Sequence, residues 1–296
     1  MATIKNILDK YYKKLDCLDL ELIISRAINK TREFVLAYPE YKLNKYQVLR
    51  IKHDVSRRVK GEPLAYILGK KEFYGLDFKV DKNVLIPRPE TEILIEEALN
   101  CIQESKIKNQ ELRIIDIGTG SGNIIISLAD KLNSHKLQTT NYKLYGIDIS
   151  PKALKIAKFN AKKHGIDKKI KFLHGNLLEP FLNSKNYKLK TKNYLIIANL
   201  PYLDTGWKNL LNSSETRGLK FEPQIALYAG KDGLNAYQKL AQQLKLLITN
   251  CKLQITIFCE IGHHQKREMQ KIFSFAKKVE FKKDISGKWR ICKIVM

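Results

Sequence analysis

Asn199-Leu200-Pro201-Tyr202 is the stretch of this sequence with the sharpest chemical content. A carboxamide or aromatic amine nitrogen is a poor nucleophile because its lone pair is delocalised. Two acceptors aimed at its N–H bonds favour the charge that develops as that lone pair attacks. The side-chain oxygen of Asn199 and the backbone carbonyl of Leu200 can be those acceptors. Pro201 holds the turn, and Tyr202 can pack on a planar group. A strand ending in an ordinary proline turn has the same look, so the tetrapeptide takes its meaning from its company.

That company begins with Asp116-Ile117-Gly118-Thr119-Gly120-Ser121-Gly122, an apolar run that ends in glycines and passes straight into a helical pattern. Glycines let the backbone turn tightly and let a ligand approach without a Cβ collision. A helix start also offers unpaired N–H groups to a polar or anionic ligand. The dinucleotide fingerprint G-x-G-x-x-G would need glycine at Asn123, and the spacing G-x-G-x-G argues against a pyrophosphate. About 30 residues on, Asp148 ends the next apolar run, ahead of the cap pair Ser150-Pro151. An acidic residue at that strand tip is placed to accept from ribose hydroxyls. Alone it reads equally well as an ordinary cap-region carboxylate; with the glycine loop it points to a nucleoside. Asn176-Leu177, at the end of the third run, is the natural place for contacts to an adenine ring, although that signal is weak by itself.

The elements that must position these residues alternate. Strands are expected at 113–117, 143–148, 170–175, 194–199 and 253–261, with helices at 123–132, 151–164, 234–250 and 265–275. Such alternation implies an α/β fold, a parallel sheet covered by helices on both faces. Residues 279–285 and 289–295, around Ser286-Gly287, read as a closing hairpin. Lys- and Asn-rich residues 183–193 read as a mobile loop.

Before this comes a different texture. Residues 1 to about 70 read as helices, with Leu20, Ile23, Ile24 and Ala27 on one narrow face, Thr31 as an N-cap, and Val48, Ile51 and Val55 as the stripe of a surface helix. Residues 71–80 suggest a short hairpin around Gly75. In Leu85-Ile86-Pro87-Arg88-Pro89-Glu90-Thr91-Glu92 two prolines one residue apart force a stiff extended loop. Residues 93–102 are periodic and read as a helix. The expected organisation is thus a helical domain over 1–70, a hairpin and proline loop over 71–92, and an α/β domain over 93–296.

With 296 residues, 44% of them hydrophobic, the chain can bury real cores and is not a disordered one. Its longest apolar runs are four to six residues, far short of the roughly 20 of a membrane span. No signal-peptide core follows Met1, which suggests a cytoplasmic protein. Five scattered cysteines (Cys17, Cys101, Cys251, Cys259, Cys292) without a Cys-x-x-Cys pair exclude a disulfide framework. Cys251, Cys259, His263 and His264 lack the ligand spacing of a zinc site, so no metal is expected. His53, His135, His164 and His174 are isolated. The 54 basic against 30 acidic residues give a net charge of +24, which would suit nucleic acid. Only ten of the basic residues are Arg and the lysines are spread along the chain, so a Lys-rich solvated surface explains the charge as well as an RNA groove does.

Taken together, the set resembles the class I S-adenosylmethionine-dependent methyltransferases and, more closely, the PrmC/HemK family of release factor glutamine methyltransferases. The resemblance rests on Arg57-Arg58-x-x-Gly61-Glu62-Pro63-x-Ala65-Tyr66-x-x-Gly69, Glu72-Phe73-Tyr74-Gly75, Leu85 to Glu92, Asp116 to Gly122, Asn199 to Tyr202, Glu222-Pro223 to Ala226-Leu227, Gly230 to Leu234, and Glu260-Ile261-Gly262. It implies a Rossmann-like, mostly parallel seven-stranded sheet behind a small helical domain that engages the protein substrate. The implied reaction moves a methyl group from S-adenosyl-L-methionine to the glutamine side-chain nitrogen in the Gly-Gly-Gln motif of class 1 peptide chain release factors. By the same resemblance Gly118, Thr119, Gly120, Ser121 and Gly122 cradle the cofactor, Asp148 holds its ribose, and Asn176 and Leu177 lie near its adenine. Asn199 and the Leu200 carbonyl accept from the substrate amide, Pro201 shapes the turn, and Tyr202 packs on the amide. Arg88 and Glu90 are candidate substrate contacts, and a monomer is expected. Two positions depart from the family pattern: Leu200 stands where proline is usual, and Leu177 where an aromatic residue often stacks on adenine. Asn-Leu-Pro-Tyr also resembles the motif of rRNA adenine methyltransferases, the alternative reading, but those enzymes place their helical domain last and lack a counterpart of Leu85 to Glu92.

Overall fold

A computed structural model of the protein describes residues 1–104, 111–134, 141–183, 193–206, 216–249 and 253–296. They fall into two compact units. The first holds residues 1–71 with residues 216–221, and is built from α1 (Ile4–Tyr11), α2 (Cys17–Ile28), α3 (Arg32–Ala37), α4 (Lys45–Val59) and α5 (Leu64–Leu68). Short polar side chains start these helices. Thr3 and Asn44 each form a reciprocal capping box, Asp16 accepts from the Leu18 amide, and Thr31 accepts from the Phe34 amide. The apolar faces then meet in a core of Ile4, Leu20, Ile23, Ile24, Val35, Leu43 and Ile51. Asp54, 2% exposed, is held there by Arg26 at 2.6 Å. Gly61 (φ 93°) belongs to this unit for a steric reason: a Cβ would sit 2.8 Å from Arg217 Cγ. Residues 216–221, distant in sequence, therefore close on the helical unit.

A two-stranded hairpin of β1 (Lys70–Phe73) and β2 (Leu76–Lys79) follows. The second unit carries α6 (Glu92–Glu104), β3 (Glu111–Ile117), α7 (Asn123–Ser134), β4 (Asn141–Asp148), α8 (Pro151–Lys163), β5 (Ile170–His174), α9 (Glu179–Asn183), β6 (Asn193–Ala198), α10 (Gln224–Leu227), α11 (Asn235–Thr249), β7 (Gln254–Glu260), α12 (Lys266–Ile272), β8 (Lys278–Lys283) and β9 (Trp289–Val295). Seven strands form one sheet in the order β5-β4-β3-β6-β7-β9-β8. The first five in sequence run parallel, and β9 joins β7 and β8 antiparallel, so the expected closing hairpin supplies the last two strands.

Strand side chains alternate between the two faces. Ile115, Ile117, Ile196, Ala198 and Ile257 join Tyr237, Leu240 and Leu244 of α11 in one core, while Ile114, Leu195, Ile197 and Phe258 join Leu94 and Ala98 of α6 and Ile125 and Leu128 of α7 in the other. Both faces are covered, which is why β6 is buried at every residue. Each of the buried Ile, Leu and Phe side chains contributes about 1.5–3 kcal/mol of apolar burial. Edge strand β8 carries Lys278, Lys282 and Lys283, charges that discourage pairing with another chain.

The expected elements appear with ends displaced by up to two residues, except α12, which stops three residues short of the expected 275; α5, α9 and α10 are short and have no periodic signal. Most of the expected loop at 183–193, together with His135 and Cys251, lies outside the described residues. Among the described residues no helix is long and apolar enough to cross a membrane and no cluster could hold a metal ion. The chain goes from β3 outward to β4 and β5, then returns to β6 on the other side of β3. That reversal opens a crevice beyond the carboxyl ends of β3, β4 and β6.

Candidate active site

A cavity of 380 Å³ occupies this crevice, within the range of small-molecule sites. One wall is the glycine loop between β3 and α7. Gly118, Gly120 and Gly122 have φ of 71°, 55° and 83°, left-handed values that cost other residues about 1–2 kcal/mol each. Gly122 is needed a second time, because a Cβ there would lie 2.7 Å from Ile126 Cδ1 and 3.2 Å from Ala157 Cβ. The loop is tied from below: the Thr119 amide donates to the Ile147 carbonyl at 2.9 Å, and the Thr119 hydroxyl to Asp116 Oδ2 at 2.6 Å. Asp116 is fully buried, and burial pushes its carboxyl up to about 7, against the hydrogen bond from Thr119.

Asp148 faces the loop from the tip of β4. Its Oδ2 accepts from the Gly120 amide and its Oδ1 from the Ser150 amide, each at 2.8 Å. Burial raises its pKa, and those two amides oppose the rise. A carboxylate offers about four lone-pair sites. Among the described residues two are used, which leaves acceptors for a diol. Asn176 and Leu177 form the next part of the wall. Leu177 takes φ 58° although it is not glycine. Its backbone is clamped by the buried Gln243, whose Oε1 accepts from the Leu178 amide at 2.7 Å and whose Nε2 donates to the Asn176 carbonyl at 3.2 Å. The Leu177 side chain joins the sheet core.

Asn199 follows the last residue of β6, and its Nδ2 donates to Thr91 Oγ1 at 2.9 Å. Thr91 in turn donates to Glu260 Oε2 at 2.7 Å, and the Tyr202 hydroxyl donates to Glu260 Oε1 at 3.3 Å. Burial raises the Glu260 pKa, countered by Thr91, by the nearby Arg290 charge and by Tyr202. Burial likewise holds the Tyr202 phenol well above its ordinary value. Gln265 fixes the turn by donating to the Tyr202 carbonyl at 3.1 Å. Leu200 is buried, with Cδ2 3.4 Å from where a Cβ on Gly118 would be. The side chain at this unusual position thus packs the acceptor turn onto the glycine loop.

Of the residues singled out in the sequence, Gly118, Thr119, Gly120, Ser121, Asp148, Asn176, Leu177, Asn199, Leu200, Pro201 and Arg88 all line this one cavity. Gly122 supports the loop from behind, and the Tyr202 side chain lies behind the turn against Glu260. Glu90 is exposed and outside the wall. The Arg88 guanidinium pairs with buried Glu222, whose other oxygen accepts from the Ile86 amide at 3.0 Å. That pair shapes the proline loop. Sequence reasoning assigned no role to Thr91, Glu260, Glu222, Gln243 or Asn160. Thr91, Glu222 and Glu260 do lie in the motifs that carry the resemblance, and that is the available signal. Gln243 and Asn160 had none.

A family model described as a methyltransferase domain matches residues 108–279, and one described as the PrmC N-terminal domain matches residues 2–69. The release factor glutamine methyltransferase of Dictyoglomus turgidum is 38% identical over 94% of this chain and 90% of its own length. That of Coxiella burnetii is 39% identical over 79% of this chain and 75% of its own. The Bacillus subtilis protein of the same name is 33% identical over 93% and 90%. Among solved structures, the hMettl16 catalytic domain in complex with MAT2A 3'UTR hairpin 6 superposes with a TM-score of 0.52 at 18% identity, covering 82% of this chain and 81% of that one, and so shares the fold.

Proposed function

The chain belongs to the release factor glutamine methyltransferase family, and from that premise we propose that the crevice methylates the side-chain nitrogen of the Gly-Gly-Gln glutamine in class 1 release factors. The cofactor is S-adenosyl-L-methionine, which supplies a methyl carbon already activated by its sulfonium. The donor set suits it: the glycine cradle leaves room that a Cβ would fill, Asp148 keeps lone pairs for the ribose, and Asn176 with Leu177 borders the adenine. In this reading residues 1–70 engage the release factor. The protein works in the cytoplasm as a monomer and needs no nucleic acid.

The observation that carries the reading is the state of Asn199. Its Nδ2 is committed to Thr91, while Oδ1 has no partner among the described residues and Asn199 lines the cavity. Oδ1 and the Leu200 carbonyl accept the two N–H bonds of the substrate amide. They orient its nitrogen toward the methyl carbon and stabilise the charge that grows there; the surplus proton then leaves to solvent. Pro201 keeps the two acceptors on one turn. Offering release factor and ribosomal RNA side by side with tritiated S-adenosylmethionine tests this. Label is expected in the release factor and is lost when its glutamine is replaced. Label in the RNA alone would overturn the assignment.

A further inference from the structure

We propose that Thr91 and Glu260 are positioning residues: an ordered chain of hydrogen bonds from Glu260 through Thr91 decides which atom of the Asn199 amide faces the substrate. This rests on the reading of Asn199 given above. A hydroxyl has one proton. Thr91 gives its proton to Glu260 Oε2 at 2.7 Å, so only lone pairs remain for its other neighbour. That neighbour must then donate, and Asn199 does so through Nδ2 at 2.9 Å. A carboxamide pinned by its NH2 group presents its oxygen elsewhere. With the opposite polarity, Thr91 would donate to the Asn199 oxygen, and the NH2 group would meet the NH2 of the substrate, donor against donor.

The chain is built to hold one polarity. Thr91 and Glu260 are 2% and 1% exposed, so no water competes for their bonds. Glu260 receives the Tyr202 hydroxyl on its second oxygen; burial raises its pKa, and the Thr91 hydrogen bond, the Arg290 charge and the Tyr202 hydroxyl act against that rise, towards the acceptor-only form. Its backbone carbonyl accepts from the Tyr237 hydroxyl, which fixes the end of β7. Thr91 is fixed from its own side: its amide donates to the Arg88 carbonyl at 3.0 Å, inside the 3₁₀ turn that Pro89 begins. The stiff proline loop thus delivers one hydroxyl to the end of β6.

Thr91→Val keeps the shape and removes the hydroxyl, whereas Thr91→Ser keeps the hydroxyl. For Thr91→Val, kcat for the methyl acceptor is expected to fall by about 10- to 100-fold, the scale of a misaligned reacting group. Its affinity for S-adenosylhomocysteine, read by calorimetry, should stay within about threefold. Thr91→Ser should recover most of the turnover. Glu260→Met removes both acceptors, and the double variant Thr91→Val/Glu260→Met should be no slower than the worse single, because both break one chain. Wild-type kcat in Thr91→Val, an equal loss in Thr91→Ser, or additive losses in the double variant would each overturn the proposal. If the wild type labels RNA in place of release factor, the substrate assignment fails, and the Val/Ser contrast is then read on the RNA label.

Discussion

The glycine loop takes its shape from left-handed backbone angles held by side chains within about 40 positions, whereas the turn after β6 is oriented by a relay of side chains brought from more than 100 positions away. In the loop, three residues adopt left-handed angles, and the Asp148 carboxylate ties it through the Gly120 amide, only 28 positions away. In the turn, Asn199 leans on Thr91, 108 positions away, and Thr91 leans on Glu260 across 169. The two regions should therefore fail differently. Damage to the loop should appear as lost stability or cofactor affinity, and damage to the turn as lost turnover in a well-folded, cofactor-binding enzyme.

The largest expected effect is on the turn. Asn199→Ala removes the oriented acceptor and should lower kcat by about 10²–10³-fold, as loss of one preorganised hydrogen-bond partner does. Single-turnover kinetics with saturating cofactor would measure it. The urea midpoint should barely move, since Asn199 gives up one hydrogen bond at the cavity wall. Turnover within a fewfold of wild type would erase the distinction between the regions.

Gly122→Ala strikes the loop. The left-handed angle costs about 1–2 kcal/mol, and the approach to Ile126 and Ala157 adds about 1–3 kcal/mol of overpacking. A urea titration should show the loss, and an unchanged midpoint would mean that the loop tolerates a Cβ and is not built by close approach. Asp148→Ala sharpens the comparison from within the same region. It removes the acceptor for the Gly120 and Ser150 amides and for the ribose, and should weaken cofactor binding by about 10- to 100-fold, the worth of hydrogen bonds to a charged group. Calorimetry with S-adenosylhomocysteine reads this directly, and an unchanged Kd would remove Asp148 from the cofactor site.

The same contrast governs what could be read from the sequence. Gly118, Gly120 and Gly122 were legible because the reason for each is local, and Asp148 because strand order places the tip of β4 beside the loop. The sheet was legible from the alternation of apolar runs, down to the closing hairpin. Thr91 was visible only as part of a stiff loop, since no local rule says where that loop's hydroxyl arrives. Gln243 and Asn160 carried no signal at all. Asn160 looks like one more polar residue on α8, yet it is fully buried: Oδ1 accepts from the Lys79 amide, and Nδ2 donates to the Ser121 carbonyl at 2.8 Å. Its partners are fixed by packing between β2, α8 and the glycine loop. The grouping of residues 216–221 with the helical unit was hidden for the same reason, because the fit of Arg217 over Gly61 exists only after folding.

The smallest effect should come from Asp116, beneath the loop. Burial raises its carboxyl from 3.8 to about 7 in the folded protein. Between those values the folded chain holds a proton that the unfolded chain has released, so this group makes stability fall as pH rises from about 4 to about 7. Asp116→Asn has nothing to titrate there, and its amide oxygen can still accept from Thr119. The variant should therefore lose less thermal stability than wild type across that window, so that the gap in Tm closes or reverses in its favour as pH rises. Scans at matched ionic strength would read it. A gap that stays constant with pH would place the titration elsewhere and leave Asp116 as a plain acceptor for Thr119, so that the loop would rest on its backbone geometry without an electrostatic cost beneath it.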